Sequence, residues 1–99
     1  MRTHVLLHLN LLNTDEETRD AMYELMRGEK WTKVHPAYTS WTCVYANGPD
    51  GVASEVITEI KRLAAEAGVP RLFAVAQCGN AVAIDFAYTA TPRQTSRRY

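Results

Sequence analysis

The chain is poor in the residues that staple, coordinate or span. It carries two cysteines, five glycines and four prolines among 99 residues. Cys43 and Cys78 form no CxxC pair, which excludes the zinc-ribbon and thioredoxin-type patterns that need two neighbouring thiols. Both thiols fall inside expected strands and no secretory leader precedes them, so the expectation is buried free cysteines in a reduced, cytoplasmic compartment. No apolar run approaches the roughly 20 residues of a spanning helix. Met1 to Leu12 is apolar but short, and it holds two histidines and an arginine, so it reads as a strand and no membrane partner is expected. An excess of one charge is missing as well. Eleven basic residues balance eleven acidic ones, and setting aside Arg93, Arg97 and Arg98 leaves the first 92 positions with a net charge of about −3. This counts against a broad phosphate-binding surface, which needs clustered Lys and Arg, and any polynucleotide contact is expected to be local. There is no internal repeat or linker, and 46% apolar residues supply one small core without staples.

What is present alternates with two periods. Val5, Leu7, Leu9 and Leu11 interleave with His4, Leu6, His8 and Asn10, giving a first strand with one apolar and one mixed face. Asn13-Thr14 breaks it, and Thr14-x-x-Glu17 reads as a capping box opening a helix. Ala21, Met22, Leu25 and Met26 recur at helical spacing, and Gly28 is placed to close that helix in a left-handed conformation. Trp31 to Ala46 then reads as a hairpin broken at His35-Pro36, with its second strand over Ser40 to Ala46. The turn signal Asn47-Gly48-Pro49-Asp50-Gly51 puts Asp50 or Gly51 at the cap of a second helix, whose stripe is Val52, Val56, Ile60 and Leu63 and whose stop is Gly68 and Pro70. Arg71 to Cys78 is a small-apolar run that predicts burial on both faces, and Gly79-Asn80 predicts a tight turn into a fifth strand over Ala81 to Tyr88. The order is βαββαβ plus one strand, an α+β class. Residues 1–88 form the domain, and 89–99 read as a flexible basic tail without apolar periodicity, whose arginines would give only weak, salt-sensitive phosphate contacts.

Motifs that carry chemistry are scarce. There is no Gly-rich phosphate loop and no HExxH. His4 and His8 share a strand face, but no third ligand is near in sequence, so no metal site is expected. Asp85 is the one carboxylate inside an apolar strand and reads as an edge or interface residue. Trp41, Tyr45, Phe73, Phe86 and Tyr88 lack interleaved cations, Arg71 excepted, and so read as core or interface aromatics before they read as a base-stacking platform.

The residues His8-Leu9-Asn10, Trp31, Ser40-Trp41-x-x-Val44-Tyr45, and Arg71-Leu72-Phe73-x-Val75 followed by Gly79 give the chain, over roughly 3–86, a pattern that resembles the small CRISPR-associated adaptation nucleases and the related virulence-associated protein D toxins. The resemblance implies a ferredoxin-like βαββαβ fold, an antiparallel sheet with two helices on one face and an additional C-terminal strand. It also implies a homodimer with sheets face to face and the last strand able to pair with the partner's sheet. In nuclease members a carboxylate near the end of the first strand, one per protomer, holds the divalent metal that activates water. Here that position falls on His8, with Asn10 two residues on. A neutral imidazole or amide is a poor ligand for hard Mg²⁺, so His8 and Asn10 are candidates for an altered catalytic site, with Mg or Mn implied only if cleavage persists. The same resemblance makes Ser40, Trp41 and Arg71 candidate binding residues and a nucleic acid or a protein the expected partner, in a defence, toxin–antitoxin or mobile-element setting. The competing expectation is a dimeric α+β barrel enzyme, monooxygenase-like, with His4, His8 and Trp41 lining a pocket between sheet and helices that takes a haem or quinone-like compound.

Overall fold

The computed structural model describes residues 2–35, 39–46, 48 and 51–90. In chain order the elements are β1 (Thr3–Leu12), α1 (Glu16–Gly28), β2 (Thr32–Lys33), β3 (Ser40–Tyr45), α2 (Val52–Ala67), β4 (Arg71–Cys78) and β5 (Ile84–Thr89). All pairings are antiparallel, and the sheet order is β2-β3-β1-β4-β5. This is the ferredoxin-like arrangement, with β5 added beside β4.

Strict alternation in β1 decides which side is core. Thr3, Val5, Leu7 and Leu9 are buried beneath the helices, while His4, Leu6, His8 and Asn10 are exposed on the opposite, helix-free face. The helices contribute Met22, Tyr23 and Met26 from α1, and Val52, Val56, Ile60, Leu63 and Ala64 from α2. Leu7, Leu9, Met22, Met26, Ile60 and Leu63 are at most 1% exposed, so the layer between sheet and helices is filled.

Several boundaries differ from those the sequence predicts. Thr14 is not the helix cap: its hydroxyl donates to the Leu12 carbonyl at 2.9 Å, and the Asp15 carboxylate takes the Thr18 N–H at 2.8 Å. That bond holds the Asp15 carboxyl below its ordinary pKa. Gly28 stays helical, and the left-handed residue closing this end is Lys30, with φ 76°. Gly68 does take the left-handed cap of α2, with φ 87°. The first hairpin strand shrinks to Thr32–Lys33, and Pro36, where the break was expected, lies outside the described residues. The β4 run is buried on one face only: Phe73 is 44% exposed, because among the described residues no second layer covers the sheet. The connection to β5 runs through Gly79–Ala83 instead of closing in two residues, with the Gln77 amide donating to the Gly79 and Ala81 carbonyls. Thr89 belongs to β5, and the Ala90 N–H reaches the Pro70 carbonyl at 2.8 Å, so the sheet extends past the expected end of the domain. The remainder of the expected tail, 91–99, lies outside the described residues. Among the described residues no helix is long and apolar enough to cross a membrane.

Candidate functional site: the helix-free face

Antiparallel register sets the side chains of this face in rows. One row runs Ser40, His8, Val75, Asp85 across β3, β1, β4 and β5. The next rows are Asn10, Phe73, Ala87 and then Leu12, Arg71, Thr89. Four of the five residues singled out in the sequence, His8, Asn10, Ser40 and Arg71, therefore share the helix-free face. Trp41 does not. One residue after Ser40, it points to the helices and is fully buried.

Only two of these residues touch. The Ser40 hydroxyl and His8 Nδ1 lie 2.8 Å apart in a hydrogen bond whose donor depends on the imidazole tautomer. Arg71 sits four residues along the sheet from the His8 row, about 13 Å at the strand rise. Asp85, the carboxylate in the His8 row, is two strand spacings away, about 10 Å, with Val75 between. The row thus presents an imidazole–hydroxyl pair without an adjoining carboxylate. Among the described residues no group of three or more His, Cys, Asp or Glu side chains converges as a metal site.

The open face is partly apolar, with Leu6 41%, Val44 45% and Phe73 44% exposed. At its β2 end it sinks into a concavity of about 680 Å³, whose wall includes His4, Leu6, Lys30, Thr42, Val44 and Gln77. Of the trio expected in a pocket between sheet and helices, His4 lines this concavity, His8 pairs with Ser40 and Trp41 lies on the other side of the sheet.

Trp41 is held by aromatic and cationic neighbours. The Tyr23 ring meets it edge-on at 5.1 Å, and the Arg27 guanidinium and Lys33 ammonium lie 5.8 Å from its centroid. The position of this ring follows from β3 alternation, so the sequence signal was the parity of 41 against 40.

No motif or spacing in the sequence points to Glu59. From α2 its Oε1 accepts the Trp31 indole N–H at 3.1 Å and the Tyr45 hydroxyl at 2.7 Å, tying α2 to the segments on both sides of the hairpin. Burial first, and then this carboxylate, push the Tyr45 hydroxyl far above its ordinary value of 10.0. Glu59→Leu deprives both donors of their acceptor and is expected to cost about 2–3 kcal/mol, measured as a shift in the urea midpoint, whereas Glu59→Gln keeps an acceptor oxygen and costs less.

The two cysteines flank Val5 in one row, Cys43 on β3 and Cys78 on β4, and both are free. Burial raises both thiols above their ordinary 9.0. A folded-state pKa above the unfolded one favours the protonated native form, so this stability is fully present below about pH 9 and declines as pH rises above it. With Tyr45 adding to the loss above pH 10, the urea midpoint is expected to fall between pH 8 and pH 10.5, and native-state alkylation at pH 8 should be slower than in denaturant. An unchanged midpoint across that range contradicts this.

Comparison with protein-family models, curated proteins and solved structures finds no match to this chain.

Proposed function

We propose that this chain works as a homodimeric binding protein on the scaffold of the CRISPR adaptation nucleases and virulence-associated protein D toxins that it resembles, engaging its partner without metal-dependent cleavage. The reading is supported chiefly by the row at the centre of the helix-free face. Where a nuclease of this type needs a carboxylate on the first strand, His8 is hydrogen-bonded to Ser40, and the carboxylate in that row lies two strands away. Neutral imidazole and hydroxyl groups bind hard divalent cations poorly. The partly exposed Leu6, Val44 and Phe73 suit a second copy laid face to face. The acidic balance of the body favours a protein partner over a polynucleotide. A defence, toxin–antitoxin or mobile-element setting follows from the resemblance.

The test is twofold. Sedimentation equilibrium at micromolar concentration is expected to give a dimer, and incubation with DNA and RNA in Mg²⁺ or Mn²⁺ is expected to give no cleavage. A monomer removes the dimer reading. Metal-dependent cleavage that disappears in His8→Ala or Asn10→Ala overturns the non-hydrolytic one. A second reading, the α+β barrel enzyme, is favoured by the concavity that His4 lines. A rise in melting temperature with haem or a quinone would support it, together with loss of that rise in His4→Ala.

A further inference from the structure

The concavity at the β2 end of the helix-free face has the size of a small-molecule site. Its chemistry is uneven. Leu6 and Val44, both more than two-fifths exposed, lie diagonally on adjacent strands as the exposed aliphatic residues of its wall. Lys30 is the one residue of its lining with a permanent charge, and it makes no ion pair among the described residues. It also holds φ 76°, a left-handed conformation that a residue with a β-carbon rarely adopts. The hydrogen bonds from its N–H to the Arg27 carbonyl at 3.0 Å, and from the Trp31 N–H to the Met26 carbonyl at 3.0 Å, fix the backbone there. The Gln77 amide nitrogen is already donated to the Gly79 and Ala81 carbonyls, so the groups of the lining that can meet an anion are the Lys30 ammonium, the His4 imidazole and the Thr32 and Thr42 hydroxyls, with Lys30 the one cation.

We infer that this concavity binds a small organic carboxylate with an apolar body. The carboxylate sits against the Lys30 ammonium and the His4 imidazole, and the body lies over Leu6 and Val44. A single positive charge matches a monoanion, and the exposed Leu6 and Val44 side chains favour an anion with an apolar body over an inorganic one. The inference rests on the dimer reading above only for the roof that a second copy would place over the ligand; the contacts themselves belong to one chain.

Octanoate and phenylacetate are the probes, titrated into the full chain and followed by amide chemical shifts, with octanol and inorganic phosphate as controls. Saturable shifts centred on Leu6, Thr42 and Val44 are expected for the carboxylates. Lys30→Met is expected to weaken carboxylate binding about tenfold or more, the loss of one charge-assisted contact, while leaving octanol unaffected. Lys30→Arg should retain most of the affinity, which separates lost charge from disturbed folding. Four results overturn the inference: no saturable shift, shifts centred elsewhere, equal affinity of Lys30→Met, or phosphate binding as tightly as octanoate. Sedimentation on the same samples separates the two readings. A dimer that binds no carboxylate defeats this inference alone, and a monomer that binds one defeats the dimer alone.

Discussion

Replacing Trp41 with alanine is expected to destabilise the fold by about 3–5 kcal/mol, the range for truncating a fully buried large aromatic. In a domain of this length that corresponds to a fall of roughly 15–30 °C in melting temperature. Three losses combine. The indole leaves a void beneath α1, the Tyr23 ring loses its edge-on neighbour, and Arg27 and Lys33 lose the face over which they lie. One term runs the other way: the Trp41 indole N–H is buried without an acceptor among the described residues, and its removal relieves that cost. The net effect remains a large loss because the packing deficit exceeds a single unpaired donor. Trp41→Phe, which keeps a ring and drops that N–H, should cost considerably less. Thermal unfolding of the three proteins checks the order. If Trp41→Ala instead left stability intact and abolished partner binding, the residue would be a contact and not part of the core.

Leu6→Glu is expected to act in the opposite manner, sparing the fold and breaking the dimer that we propose. Leu6 lies between Thr42 and Gln77 in the middle strand, with its side chain on the helix-free face, so a carboxylate there meets water in the single chain. In a symmetric face-to-face dimer the same substitution buries two like charges close together, and an unpaired interfacial charge costs about 2–5 kcal/mol. The dissociation constant should rise about 30-fold or more, at ten-fold per 1.4 kcal/mol. Sedimentation equilibrium measures it, and the melting temperature of the monomer reports that the fold is intact. A variant as dimeric as the wild type would move the interface off this face.

These two residues also mark what was legible from sequence. The alternation of β1 assigned Leu7 and Leu9 to the core and His4, Leu6, His8 and Asn10 to the other face, because a period of two leaves no freedom once one face is buried. The α2 stripe was equally plain, four aliphatic residues at helical spacing ended by Gly68. Trp41 carried two readings in the sequence, a core aromatic and half of a Ser40-Trp41 motif, and the parity of the strand puts Ser40 and Trp41 on opposite faces, with Trp41 in the core. The α1 start slipped by one residue because Thr14 and Asp15 are both good caps, and only the backbone decides which side chain meets the Thr18 N–H. The α1 end was missed for a different reason. Glycine is the usual left-handed residue, yet here Lys30 takes the turn and Gly28 remains helical. β4 was expected to be covered twice because its small apolar side chains carry no polar alternation, and one chain alone has no layer to provide the second cover. The concavity and the Glu59 anchor depend on distant segments brought together, His4, Thr42 and Gln77 around one concavity and Glu59 bonded to Trp31 and Tyr45, which no local pattern encodes.

The central place of β1 also bears on how the chain is made. This strand finds its sheet partners only far along the chain: its neighbours are β3 and β4, whose pairings reach from His8 to Ser40 and from Val5 to Cys78. Until Cys78 has been synthesised, a run of alternating leucines remains unpaired along one edge or both, a surface that chaperones bind and that sticks to its own kind. Folding must then close two long loops around one strand, non-local pairings that slow folding relative to a helical bundle of the same length.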